Sequence, residues 1–180
     1  MKKRIILICL IFLLSQVVFA QESAQNVISI GIGPEFNMNS RENFAGGFVV
    51  SIDYKLPISA IQLAAGLTMT TSFNFSDALS FEVTGMVRWY FLRIKNLNFF
   101  AQADAGMHLI VENNISVVLI EGGLRAGLRM PIGDLFYIEP YGRFGYPYAW
   151  GMGVLAGVRI NIPSKKNTVS NIDSIQQEEE

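Results

Sequence analysis

A period of two governs most of this chain. Apolar residues alternate with small or polar ones through eight runs, 27–36, 44–55, 61–73, 79–92, 97–111, 116–130, 135–145 and 150–162. Successive side chains of a β-strand leave opposite faces, so strict alternation is the mark of a strand with two different faces. No helical period is sustained, and no later stretch holds the roughly 18 continuous apolar residues of a membrane helix. The separators are short: Pro57-Ile58-Ser59, 93–96 and Pro131-Ile132-Gly133-Asp134 on one side, 37–43, 74–78, 112–115 and 146–149 on the other. An even number of long strands with tight connections predicts an all-β, eight-stranded antiparallel up-and-down barrel.

The charges divide the faces. Glu35, Asp53, Lys55, Glu82, Arg88, Asp104, Glu121, Arg125, Arg129, Glu139, Arg143 and Arg159 fall inside the runs, and Glu112 at the fraying end of the fifth. Within every run that has more than one, they share a parity. The opposite parity is almost unbroken apolar, as in Phe44, Phe48, Val50, Ile52 and Tyr54, or Trp150, Met152, Val154, Ala156, Val158 and Ile160.

Parity alone leaves open which face is inside. A soluble barrel or sandwich would put the apolar face in its core and the charges in water. Side-chain size argues the reverse. Eleven of the sixteen glycines (31, 33, 47, 66, 106, 123, 127, 145, 151, 153 and 157) share the charged parity. A narrow eight-stranded lumen needs small residues between a few long ones, whereas a solvated exterior gains nothing from glycine and loses about 0.5–1 kcal/mol at each. The bulky parity therefore suits an exterior facing lipid, which makes the barrel transmembrane. Its aromatics gather at both ends: Tyr54, Trp89, Phe91, Phe99 and Phe136 near one set of turns, Phe36, Phe44, Phe73 and Trp150 near the other. Two aromatic belts are the pattern of a protein anchored at two membrane interfaces.

The chain ends differ from this middle. Lys2, Lys3 and Arg4 precede the apolar run 5–14, and Val18-Phe19-Ala20 forms a cleavage site, so residues 1–20 are expected to be a signal peptide. A retained anchor would need roughly 20 apolar residues. Cys9 lies within that signal, leaving the mature chain without a thiol or a cysteine-based metal site. Residues 21–26 form a short leading segment, 27–162 the barrel, and 163–180 a polar tail ending in Glu178, Glu179 and Glu180 and expected to be disordered. A net charge of −1 gives no sign of nucleic-acid binding.

With these features on one chain, the sequence resembles the small outer-membrane barrels of the OmpA, OmpX and OmpW kind. The resemblance covers the mature chain except its tail and rests on pattern. "GVRINI", with Gly157, Ile160 and Ile162, resembles the signal that hands the last strand to the barrel-assembly machinery, although it carries Ile where an aromatic is common and eighteen residues follow it. It implies a Gram-negative-type outer membrane, periplasmic termini, lipid as the main partner and a monomer with no cofactor.

Charges away from bulk water must be paired. A lumenal network of Glu35, Asp53, Lys55, Glu82, Arg88, Asp104, Glu121, Arg125, Arg129, Glu139, Arg143 and Arg159 is therefore expected to plug the barrel, in a structural, envelope-stabilising role. If 130–135 forms the turn, Gly127 faces Glu139, which then lies diagonal to both Arg125 and Arg129, while Glu121 lies diagonal to Arg143. A Glu exchanging between two Arg partners would instead gate a narrow channel, with the glycines leaving room for water. His108, Glu82 and Ser80 offer the residue types of a lipid-modifying enzyme, but no motif supports one and no metal or catalytic group is expected. Short loops, including Arg41-Glu42 and Tyr146, argue against an adhesin. Pro34 and Pro140 inside strands predict bulges. Val117 and Leu119, on the inner parity, predict either a strand that rises above the bilayer or a slip of phase.

Overall fold

Eight strands close into a single barrel in a computed structural model that describes residues 26–39, 44–58, 61–74, 79–112 and 115–162. They are β1 (Asn26–Asn39), β2 (Phe44–Lys55), β3 (Leu63–Asn74), β4 (Leu79–Ile94), β5 (Leu97–Glu112), β6 (Ile115–Ile132), β7 (Phe136–Tyr146) and β8 (Tyr148–Ile162). Each pairs antiparallel with its sequence neighbours, and β1 pairs with β8 to close the ring. The expected signal peptide at 1–20, Arg41-Glu42 and the tail at 163–180 lie outside the described residues. Several strands outrun the alternation that announced them. Asn37 and Asn39, read as turn, continue β1 because β2 or β8 still offers partners. At the opposite end the corners tighten onto left-handed residues, Lys95 at φ 52° and Gly133 at φ 63°, the backbone that short hairpin turns demand.

The bulky parity faces outward. Leu67 and Met69 are each 57% exposed, whereas Thr68 between them is 1% exposed. Phe36, Phe44, Phe48, Phe73, Phe81, Leu124, Phe136 and Phe144 are exposed as well. A continuous apolar girdle of this kind far exceeds the patches a water-soluble monomer carries, and hydrocarbon is the medium that satisfies it. Near the terminal end of the barrel, Trp89 and Phe91 pack together with ring centroids 5.7 Å apart. Tyr54 there donates its hydroxyl to Asn26 Oδ1 at 3.0 Å, keeping a polar handle at the rim.

The bulges are not at the prolines. Pro34 and Pro140 both point outward, and pairing keeps one register across each. Pro34 stays paired with Phe48 of β2, and only the β8 side of the ladder is interrupted; Pro140 stays paired with Val154, and only the β6 side is interrupted. The missing N–H thus falls toward a single neighbour, and the strands bridge the gap without an inserted residue. Pro140→Val should restore that bond and raise stability to urea in detergent by about 0.5–1.5 kcal/mol; an unchanged midpoint would show that the ladder cannot close there.

The actual shifts occur elsewhere. Between β4 and β5 the pairing passes from Tyr90 to Leu92, leaving Phe91 extra. Between β1 and β8 it passes from Trp150 to Tyr148, leaving Ala149 extra. This second bulge re-aims a side chain: Tyr148, which strict alternation would send outward, is buried in the lumen. Val117 and Leu119 are explained by height. β5 and β6 keep one register to Glu112 and Ile115, while pairing of β6 with β7 begins only at Gly122. β6 therefore rises beyond β7, while β5 stays paired with β4 as far as Val111, and Val117, Val118 and Ile120 are all exposed.

Candidate functional site: the charged lumen

With its apolar residues committed to the outside, the barrel brings its charges together inside. They form two clusters. Toward the terminal end, Arg129 holds Asp53 at 2.8 Å and Glu139 at 2.6 Å, and Arg88 reaches Glu139 at 2.9 Å and Asp53 at 3.6 Å. Arg129 also donates to Ser29 Oγ at 3.0 Å. Two guanidiniums face two carboxylates, so this cluster is neutral.

The second cluster lies toward the loops. Arg125 contacts Glu35 and Asp104, each at 3.1 Å. Arg143 contacts Glu35 at 2.7 Å, Glu82 at 2.9 Å and Glu121 at 2.5 Å. Tyr141 adds a 2.5 Å hydroxyl donation to Glu35 and Asn37 an amide donation at 2.9 Å. Gln102 joins the clusters: its carbonyl accepts from Arg88 at 2.8 Å while its amide donates to Asp104 at 2.6 Å. A continuous polar chain therefore runs through the lumen from Asp53 to Glu121.

Rings and backbone fill the space the charges leave. Each lumenal guanidinium lies over an aromatic face: Arg88 over Phe100 and Arg129 over Tyr137, both at 4.2 Å to the centroid, Arg125 over Tyr141 at 5.2 Å and Arg143 over Tyr148 at 5.7 Å. Stacking of this kind favours a weakly hydrated guanidinium in a dry setting. The glycines make the rings fit. A Cβ on Gly157 would strike the Tyr137 ring and the Ile30 carbonyl, and one on Gly153 would strike Tyr141. Gly33, Gly47, Gly66 and Gly106 instead accept the close approach of a neighbouring strand's carbonyl. The space beside these glycines is taken by rings and by neighbouring backbone.

Ten of the twelve network residues named from sequence are buried together, namely Glu35, Asp53, Glu82, Arg88, Asp104, Glu121, Arg125, Arg129, Glu139 and Arg143. Lys55 and Arg159 are not among them. Both line a polar vestibule of about 600 Å³ at the terminal end, with Arg129 and Asp53 at its floor. Arg159 donates there to the carbonyls of Gly133 and Asp134 at 3.2 and 3.4 Å. The expected register was two residues off: Gly127 faces Tyr141, and Arg125 faces Arg143. The turn is tighter than 130–135 because β6 continues to Ile132. Glu139 consequently bridges Arg88 and Arg129, and the carboxylate nearest Arg125 on the far wall is Glu35.

Phe100, Gln102, Tyr137 and Tyr141 were missed, although each shares the parity of the charges on its own strand. Tyr148 carried no such signal, since its orientation depends on the bulge at Ala149. The enzyme-like set does not assemble. His108 Nδ1 approaches Glu82 Oε1 at 3.3 Å, but Ser80 Oγ is engaged with Tyr148 Oη at 3.2 Å and the Ser72 carbonyl at 3.5 Å. A serine nucleophile needs its base within hydrogen-bond reach, and Tyr148 takes that place.

No protein-family model matches the sequence, and no curated protein matches it. Solved structures do match. Neisserial surface protein A (NspA), from Neisseria, is 13% identical with a TM-score of 0.54, over 76% of this chain and 97% of that one. Ail, the attachment invasion locus protein of Yersinia pestis, is 17% identical with a TM-score of 0.48, over 77% of this chain and all of that one. A de novo designed transmembrane β-barrel is 14% identical with a TM-score of 0.44, over 79% and 98%. At such identities the likeness is one of fold, and NspA carries it: the chain has the closed eight-stranded fold of the small outer-membrane barrels.

Proposed function

We propose that the protein is an integral outer-membrane barrel that stabilises the cell envelope, with its lumen closed by the Arg/Glu network and its termini on the periplasmic side. The observation that carries this reading is the polar chain from Asp53 to Glu121, in which every guanidinium is both ion-paired and backed by a ring. Eight strands enclose little more than their own side chains, and here those side chains interlock across the lumen. On this reading lipid is the principal partner, the barrel-assembly machinery acts during biogenesis, and the folded unit is a monomer. In planar bilayers the native barrel should show no steady ion conductance. Regular single-channel steps from well-folded protein would contradict a closed lumen.

The vestibule favours a second reading, a gated channel. It leads from the terminal end directly to Arg129 and Asp53. If that contact is a gate, Arg129→Ala should create conductance steps that the native barrel lacks, whereas a plug several layers deep should stay silent after one truncation.

A further inference from the structure

We propose that Glu82, His108 and Glu121 form a divalent-cation site of the zinc type within the loop end of the barrel. They lie on three consecutive strands, with Glu82 opposite His108 across β4 and β5, and Glu121 opposite Gly106 across β5 and β6. No spacing in the chain announces such a set; only the registers assemble it. One ligand atom from each lies within 4.8 Å of the others, and all three residues are buried.

Two further observations point to a cation. Glu82 Oε1, His108 Nδ1 and Glu121 Oε2 are buried and make no well-aligned hydrogen bond, the first two merely facing each other at 3.3 Å. Their opposite oxygens are held by a single guanidinium: Arg143 takes Glu82 Oε2 at 2.9 Å and Glu121 Oε1 at 2.5 Å. Arg143 thus orients both carboxylates as an outer-shell partner orients metal ligands, leaving one oxygen of each aimed at the imidazole. The charge balance agrees. The loop-side cluster sets Glu35, Glu82, Asp104 and Glu121 against Arg125 and Arg143, a formal excess of two negative charges among the described residues when every carboxylate is ionised. A divalent cation cancels that excess where it is concentrated.

The donor set, one imidazole nitrogen and two carboxylate oxygens, suits zinc or a similar borderline ion, with water completing the shell. Ligands bound at about 2.0–2.2 Å in a tetrahedron lie about 3.3–3.6 Å apart, and His108 Nδ1 is already 3.3 Å from Glu82 Oε1. Small side-chain rotations bring Glu121 into the same shell.

The test uses the mature chain without a polyhistidine tag, refolded in detergent and stripped with a chelator, because His108 is the sole histidine. Titration with Co²⁺ should give the visible absorption of a tetrahedral ion at one equivalent per barrel, and one equivalent of Zn²⁺ should displace it. The imidazole ¹⁵N resonance of His108 should shift in parallel. His108→Ala and Glu121→Gln should each weaken binding by more than about 100-fold, the upper range for losing a mere outer-shell partner, while keeping the slow-heating band shift of a folded barrel. Two results would overturn the site. One is a folded native barrel whose His108 resonance ignores Co²⁺ and Zn²⁺, the three atoms then sharing a proton instead. The other is a folded variant that binds as tightly as the native chain.

Discussion

Arg143→Met should be the most damaging single change in the lumen, lowering stability by about 3–5 kcal/mol, the cost of leaving a buried ion network without one partner. Arg143 is the common cation of Glu35, Glu82 and Glu121. Without it four carboxylates would face only Arg125. Glu121→Gln in metal-free protein should behave oppositely, staying within about 1 kcal/mol of native, since an amide keeps the acceptor for Arg143 and relieves like-charge crowding. Urea unfolding in lipid vesicles, followed by tryptophan emission, separates the two. Equal losses would mean that the charge imbalance has no energetic weight.

Gly157→Val should cost about 1–3 kcal/mol or prevent folding, through overpacking rather than charge. Its Cβ would meet the Tyr137 ring, and that ring backs Arg129, which in turn holds Asp53 and Glu139. The clash therefore reaches the terminal-side cluster through a chain of rigid contacts. Gly85 is the control. It faces outward, where a Cβ would meet only the Ala105 carbonyl at 3.8 Å; Gly85→Val should fold normally and gain slightly from β-propensity. The same unfolding assay compares the pair, and equal behaviour would refute the assignment of an inner and an outer face.

The barrel was legible because one physical rule wrote it eight times. A strand between lipid and a narrow lumen must alternate bulky apolar residues with small or charged ones, as Leu67, Thr68 and Met69 do. The partners inside were less legible. Pairing depends on register, and two further residues at the end of β6, which continues to Ile132, moved Arg125 from the expected Glu139 to Glu35. The ring contacts of Arg88, Arg125 and Arg129 were readable in parity but easily taken for ordinary packing. His108 and Glu82 were readable as neighbours, since strands four and five pair as expected, but Tyr148 and the addition of Glu121 to that pair were not, because one needs a bulge and the other a third strand in register. The prolines misled for a related reason: a rule about free edges assumes that the missing N–H disrupts both neighbours, whereas at Pro34 and Pro140 it touches only one.

An inside-out barrel requires the apolar face to meet lipid and the charged face to meet the lumen. The chain's two tryptophans, Trp89 and Trp150, lie in opposite belts and report on that directly. In vesicles containing brominated lipids, their fluorescence should be quenched most by bromines near the headgroup end of the acyl chains and little by aqueous iodide. Strong quenching by iodide, with no response to bromine at any depth, would place the aromatic face in water and contradict the account.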